Sequence, residues 1–124
     1  MGAMKGVIWL RDSRKRICEF PDEVRDEVGF ALYQAQLGRK HPSAKPMRGY
    51  KGAGVLEIVE RFDGDTFRCV YTVKFSDAIY VLHAFQKKSK SGIKTPAHEL
   101  DLIDQRLKEA IEIHARIHDG RKIN

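Results

Sequence analysis

A chain of 124 residues, 42% hydrophobic and 32% charged, is large enough to bury roughly two thirds of its unfolded surface around one core. It has none of the ~20-residue apolar runs that a membrane span needs. Its two cysteines, Cys18 and Cys69, have neither metal-ligand spacing nor the density of a disulfide scaffold, so they read as small buried hydrophobes of a reducing, cytoplasmic protein. The net charge of +6 is unevenly placed: residues 5–19 carry five basic and two acidic side chains, 39–51 five basic and no acidic, and 86–95 four basic and no acidic. Residues 20–37, 55–77 and 96–119 instead sum to −3, −2 and −3. Cations gathered into connectors raise the local potential where a polyanion would dock, as expected of nucleic-acid binding.

The whole chain, 1–124, reads as one domain, with 1–3 as added residues ahead of Met4 and 119–124 as a flexible tail. "KGVIWLR", from Lys5, is a short β-rich run that stops at Asp12-Ser13, either of which can cap a following helix. That helix is brief, because Pro21 suits only a first helical turn. A second helix follows, with Val24, Val28, Ala31, Leu32 and Ala35 on one face and Gly38 as terminator. Residues 39–54, with two prolines, three glycines and no hydrophobic period, read as an irregular connector of a length that usually serves function.

"VLEIVERF", "TFRCVYTVKF" and "AIYVLHAF" are three strands joined by short turns, an antiparallel meander. In the middle run Phe67, Cys69, Tyr71, Val73 and Phe75 should share one face, while Arg68, Val70, Thr72 and Lys74 share the other. The third run is apolar enough to be covered on both faces. A last helix opens at "TPAHE", with Thr95 as cap and Pro96 in the first turn. It presents Leu100, Ile103, Leu107, Ala110, Ile111 and Ile117 on one side, to pack on the domain or on a partner.

Phosphate loops, H-E-x-x-H, C-x-x-C and G-x-S-x-G elbows are all absent from the sequence. His114 and His118, four residues apart, have metal-ligand spacing without an evident third ligand, so no metal and no cofactor are expected. RNA cleavage needs less: the ribose 2′-hydroxyl attacks the adjacent phosphate while the protein grips that phosphate, offsets its charge and moves protons. Arg68 on a central strand suits the grip, and Lys87 and Lys88 leave the next strand as point charges. The end of the third strand should lie beside the start of the second, so the two sets can converge. The competing reading of Arg68 is a cross-strand ion pair with Glu57 or Glu60.

The segments "MRGYKGAGVLEI", "FRCVYTV" and "YVLHAFQKKSKSGIKTPAHELDLIDQRL" resemble the RelE/HigB toxins of bacterial toxin–antitoxin pairs, in particular their phage-related branch. The resemblance covers residues 47–106 and is most specific from "HAFQKK" to "KTPAHE". It implies an α+β RelE-like fold: an N-terminal strand, two helices, a three-stranded antiparallel meander completing a small sheet, and a C-terminal helix. It also implies a toxin that cuts mRNA on the ribosome and is silenced by a helix-turn-helix antitoxin. Arg68 matches the family's phosphate-binding arginine, Lys87 and Lys88 its basic pair, and Arg48 the arginine of its "RG" step. Lys94 falls near where some relatives carry a catalytic tyrosine, and Glu57 and Val59 stand where well-studied relatives have lysines. The expected site is therefore Arg68, Lys87, Lys88, Lys94 and His98 for catalysis, with His98 or His83 as proton carrier and His83 the more natural core histidine. Arg48, Lys51, Lys74 and Lys90 would hold RNA. Two other classes stay open: a toxin of this fold that poisons a protein target such as DNA gyrase, and a non-catalytic RNA- or ribosome-binding module.

Overall fold

The computed structural model describes residues 4–50, 52–88 and 95–123, with side chains to Asp119 in the last segment. A five-stranded sheet in the order β1-β5-β4-β3-β2 separates two helical layers. Its strands are β1 (Gly6–Trp9), β2 (Ala44–Pro46), β3 (Val55–Phe62), β4 (Asp65–Thr72) and β5 (Ala78–Lys87). The helices are α1 (Ser13–Cys18), α2 (Asp22–Gln36) and α3 (Ala97–Ile123). β1 pairs with β5 in parallel and every other pair is antiparallel. The α+β class and the β3-β4-β5 meander are those expected.

Local chemistry explains most boundaries. Asp63 and Gly64 both have positive φ, 52° and 83°, the conformation of a two-residue hairpin turn whose twist matches its strands. Helix α2 ends in a Schellman arrangement: Gly38, at φ 79°, donates its N–H to Ala35 at 3.0 Å, and Arg39 donates to Gln34 at 2.8 Å. Asp12 stands before α1 but makes no capping bond; its carboxylate takes Arg16 at 2.7 Å and Arg106 at 3.4 Å instead.

Helices α1 and α2 cover one face of the sheet with Ile17, Phe20, Val24, Val28 and Leu32, which meet Ile58, Phe67, Cys69 and Tyr71. Helix α3 covers the other with Ile103 and Ala110 against Val70, Tyr80, Leu82 and Phe85. Both faces of β5 are covered, which accounts for its apolar run from Ala78 to Leu82, and only Gln86 of its ten residues is exposed.

Several expectations are corrected. The connector over 39–54 contains β2, which adds an edge strand; Pro46 is tolerated there because an edge position need not donate outward. Cys69 is buried, its thiol pushed up to about 12 by desolvation, but Cys18 is exposed at the end of the short α1. β4 stops at Thr72, so Phe75 leaves the alternation and packs against Tyr80 and His114 on the α3 side. Helix α3 starts one residue after Pro96 and continues to Ile123 through the stretch expected to be a tail.

Candidate functional site

Strand pairing decides which cations meet. On the α3 side, Arg68 of β4 stands between Val59 of β3 and Phe85 of β5, and the next row outward is Arg61, Thr66 and Lys87. Lys87 reaches this side because of an irregularity in β5. Val70 pairs with His83 but Tyr71 pairs with Val81, so Leu82 is an extra residue. Strict alternation from Tyr80 would send His83, Phe85 and Lys87 toward α1 and α2. The bulge resets the phase and turns all three toward α3 and Arg68.

Arg68 is 6% exposed and Glu57 7%, and Arg68 Nη1 donates to Glu57 Oε2 at 2.9 Å. The cross-strand ion pair weighed for Arg68 is therefore present, and Lys45 of β2 approaches the second oxygen of Glu57 at 3.9 Å. Lys87 is 7% exposed; burial first, and then the charge of Arg68, push its pKa down. A buried lysine with a weakened hold on its proton is a common device for proton transfer. Lys88, one residue on, is exposed and lies 3.7 Å from Asp65, which also accepts from Gln86. It thus leaves the Arg68 row for the edge beside the β3–β4 hairpin. An acidic cleft of about 340 Å³ opens there, lined by Glu19, Asp63, Asp65 and Phe67 among others, and its charge does not suit a phosphate.

The first turn of α3 stands over the same part of β5. Glu99 Oε1 lies 2.8 Å from His83 Nε2, and Arg106 Nη1 lies 2.6 Å from His83 Nδ1. Since a guanidinium only donates, Nδ1 accepts and Nε2 carries the hydrogen given to Glu99. Burial, opposed by Glu99 and reinforced by Arg106, lowers the pKa of His83. His83 is therefore a hydrogen-bonded core histidine held neutral. His98, beside Glu99, is exposed.

Arg48 and Lys74 lie elsewhere. Both are exposed, Arg48 in the loop before β3 and Lys74 in the turn after β4, where Val73 donates to Gly54 and Met47 to Val55. About 13 Å of strand separates Arg68 from Thr72, so Lys74 does not project with Arg68 as expected. Tyr50 fastens this loop to α3 by donating to Asp104. Lys51, Lys90 and Lys94 lie outside the described residues. The reading from sequence missed Arg61 and Lys45, which pairing places on the Arg68 side. For Arg61 the signal was the two-residue period it shares with Glu57 and Val59 on β3; Lys45 faces this way only through its pairing with Glu57, which was not legible because β2 had not been recognised.

Residues 15–108 match the family model of the phage derived protein Gp49-like (DUF891). The chain belongs to this family. Its fold is that of RelE-type toxins: a mutant of the E. coli toxin RelE in the free state aligns with a TM-score of 0.55 and 14% identity, over 86% of this chain and 98% of that one. The RelBE2 toxin–antitoxin complex from Mycobacterium tuberculosis gives a TM-score of 0.46 and 17% identity, over 73% of this chain and 98% of that one. A comparison with curated proteins gives no match. Among the described residues, no helix of this Gp49-like chain is long and apolar enough to cross a membrane.

Proposed function

We propose that the protein is the toxin of a bacterial toxin–antitoxin pair, a ribosome-dependent mRNA endonuclease acting in the cytoplasm and silenced by a helix-turn-helix antitoxin. The observation that carries the reading is Lys87: a buried lysine with a lowered pKa, turned by a bulge onto the face of Arg68, in a fold shared with a RelE toxin. Lys87 takes the proton of the 2′-hydroxyl, whose oxygen attacks the adjacent phosphorus. Arg68, assisted by Arg61, offsets the charge that develops on the phosphoryl oxygens, and Lys88, at the hairpin edge, is left to contact RNA outside the reacting phosphate. The P–O5′ bond breaks, leaving a 2′,3′-cyclic phosphate, and His98 supplies the proton to the departing 5′-oxygen. Arg48 and Lys74 hold RNA upstream or downstream of the cut, and Lys51 and Lys90 as RNA contacts and Lys94 as an aid to catalysis complete the proposed set.

Induced expression tests this. The expected result is growth arrest with cuts confined to translated messages, abolished in Lys87→Met and relieved by co-expressing the neighbouring small reading frame. Arrest by Lys87→Met equal to that of the parent would sink the assignment.

The buried Arg68–Glu57 pair favours one other reading, a non-catalytic RNA- or ribosome-binding module in which Arg68 is purely structural. Under it the protein co-sediments with ribosomes and leaves translated messages intact.

A further inference from the structure

His114 and His118, four apart on α3, acquire in the fold the third ligand that the sequence did not reveal. Asp77, in the turn before β5, brings its carboxylate to them, so that one donor atom from each of the three lies within 4.8 Å of the others. His114 Nε2 is 3.5 Å from Asp77 Oδ1. Bonds of about 2.0–2.1 Å place neighbouring donors of a tetrahedral zinc roughly 3.4 Å apart, so this pair already has the required separation. The rings of His114 and His118 are 4.3 Å apart.

The surroundings aim His114. Its Nδ1 lies 3.1 Å from the hydroxyl of Tyr80, a fully buried residue, and Phe75 stacks on its ring at 4.0 Å. A ligating histidine characteristically has its other nitrogen held by such a partner. A second trio, Glu27, His41 and Glu60, has similar spacing but the wrong tautomer. Ser43 N–H donates to His41 Nδ1 at 3.0 Å, which puts the ring hydrogen on Nε2, the atom facing Glu27 at 3.2 Å. His41 thus has no lone pair to offer the cluster.

We infer that Asp77, His114 and His118 bind a divalent transition-metal ion of the zinc class, water completing the coordination, and that the ion clips the distal half of α3 to the turn before β5. Nitrogen and carboxylate donors select such an ion over calcium or magnesium. Asp77 and Lys87 flank opposite ends of β5, about 30 Å apart, so the clip is independent of the phosphate chemistry proposed above.

The test is calorimetric titration of the tag-free, chelator-stripped full chain with zinc chloride, paired with thermal unfolding. One zinc per chain should bind and raise the Tm. Affinity should fall by about tenfold or more in His118→Ala and in Asp77→Asn and stay at the parent value in His41→Ala. His118 and Asp77 are exposed, so circular dichroism of both variants should match the parent. Absence of stoichiometric binding, undiminished binding in both variants, or loss confined to His41→Ala would each overturn the inference.

Discussion

Replacing Arg68 removes the partner of a buried carboxylate as well as any phosphate contact, so loss of activity in Arg68→Ala does not by itself assign a role. Breaking a buried pair typically costs about 3–5 kcal/mol, whereas exchanging both partners for apolar groups is often neutral. Arg68→Ala should lose stability in that range in urea denaturation, and the double variant Arg68→Met/Glu57→Leu should recover most of it. The double variant then isolates chemistry from folding, because a stable protein that still cleaves RNA would exclude Arg68 as the phosphate ligand. Lys87 has the opposite profile. Its native pKa is lowered from 10.5, so at pH below that native value the folded chain holds the ammonium less favourably than the unfolded chain does. As pH rises through it, the folded chain releases the proton before the unfolded one does and the cost is relieved. The parent should gain in Tm relative to Lys87→Met between pH 7 and pH 10. A parallel pH profile for the two proteins would show that Lys87 is not held in its unfavoured state.

At the scale of elements, the meander, the order of helices and the two-sided burial of β5 were legible because each rests on a local pattern: two-residue alternation, three- and four-residue apolar steps, and turn residues such as Asp63-Gly64. β2 was not legible, since three residues ending in proline carry no periodic signal and become a strand only when β3 offers its edge. The bulge at Leu82 was hidden for a related reason: in a strand apolar on both faces, a change of phase leaves no trace in the sequence. It nevertheless decides the site. Deleting Leu82 should remove the extra residue and preserve the facing of His83, Phe85 and Lys87, at about 2–5 kcal/mol for the lost side chain. Deleting Ala84 should invert everything after it and abolish cooperative unfolding. The bulge also brings His83 into a chain of contacts from Arg16 and Asp12 of the α1 corner through Arg106 to Glu99 of α3. Because the pKa of His83 is lowered from 6.5, the unfolded chain gains a proton that the folded one refuses as pH falls below 6.5, and stability drops. Asp12, lowered from 3.8 by Arg16 first, adds a contribution that is present above 3.8 and lost as pH falls through its native value. His83→Gln keeps an acceptor for Arg106 and a donor for Glu99, so its urea midpoint should change less than the parent's between pH 7 and pH 5.

Over the whole molecule, the excess of six positive charges says nothing about where RNA lies, and the clustering seen along the chain resolved only partly in space. Arg61, Arg68 and Lys87 assemble on the α3 face of the sheet; Arg48 and Lys74 gather at the other end of β4; Lys15 lies on the exposed side of α1, across the sheet. Salt dependence distinguishes these groups because each phosphate that a cation neutralises on a single strand adds about 0.7 to the slope of log K against log salt. If RNA runs along the α3 face, Arg61→Ala should lower the slope for a single-stranded RNA by about that amount and Lys15→Ala should leave it unchanged. Lys15 and Arg61 contribute equal charge to the long-range field, so a general electrostatic attraction would reduce binding alike in both variants without singling out Arg61. Equal slopes in the two variants would mean that RNA meets this protein through its net charge and not through the sheet face built by β3, β4 and β5.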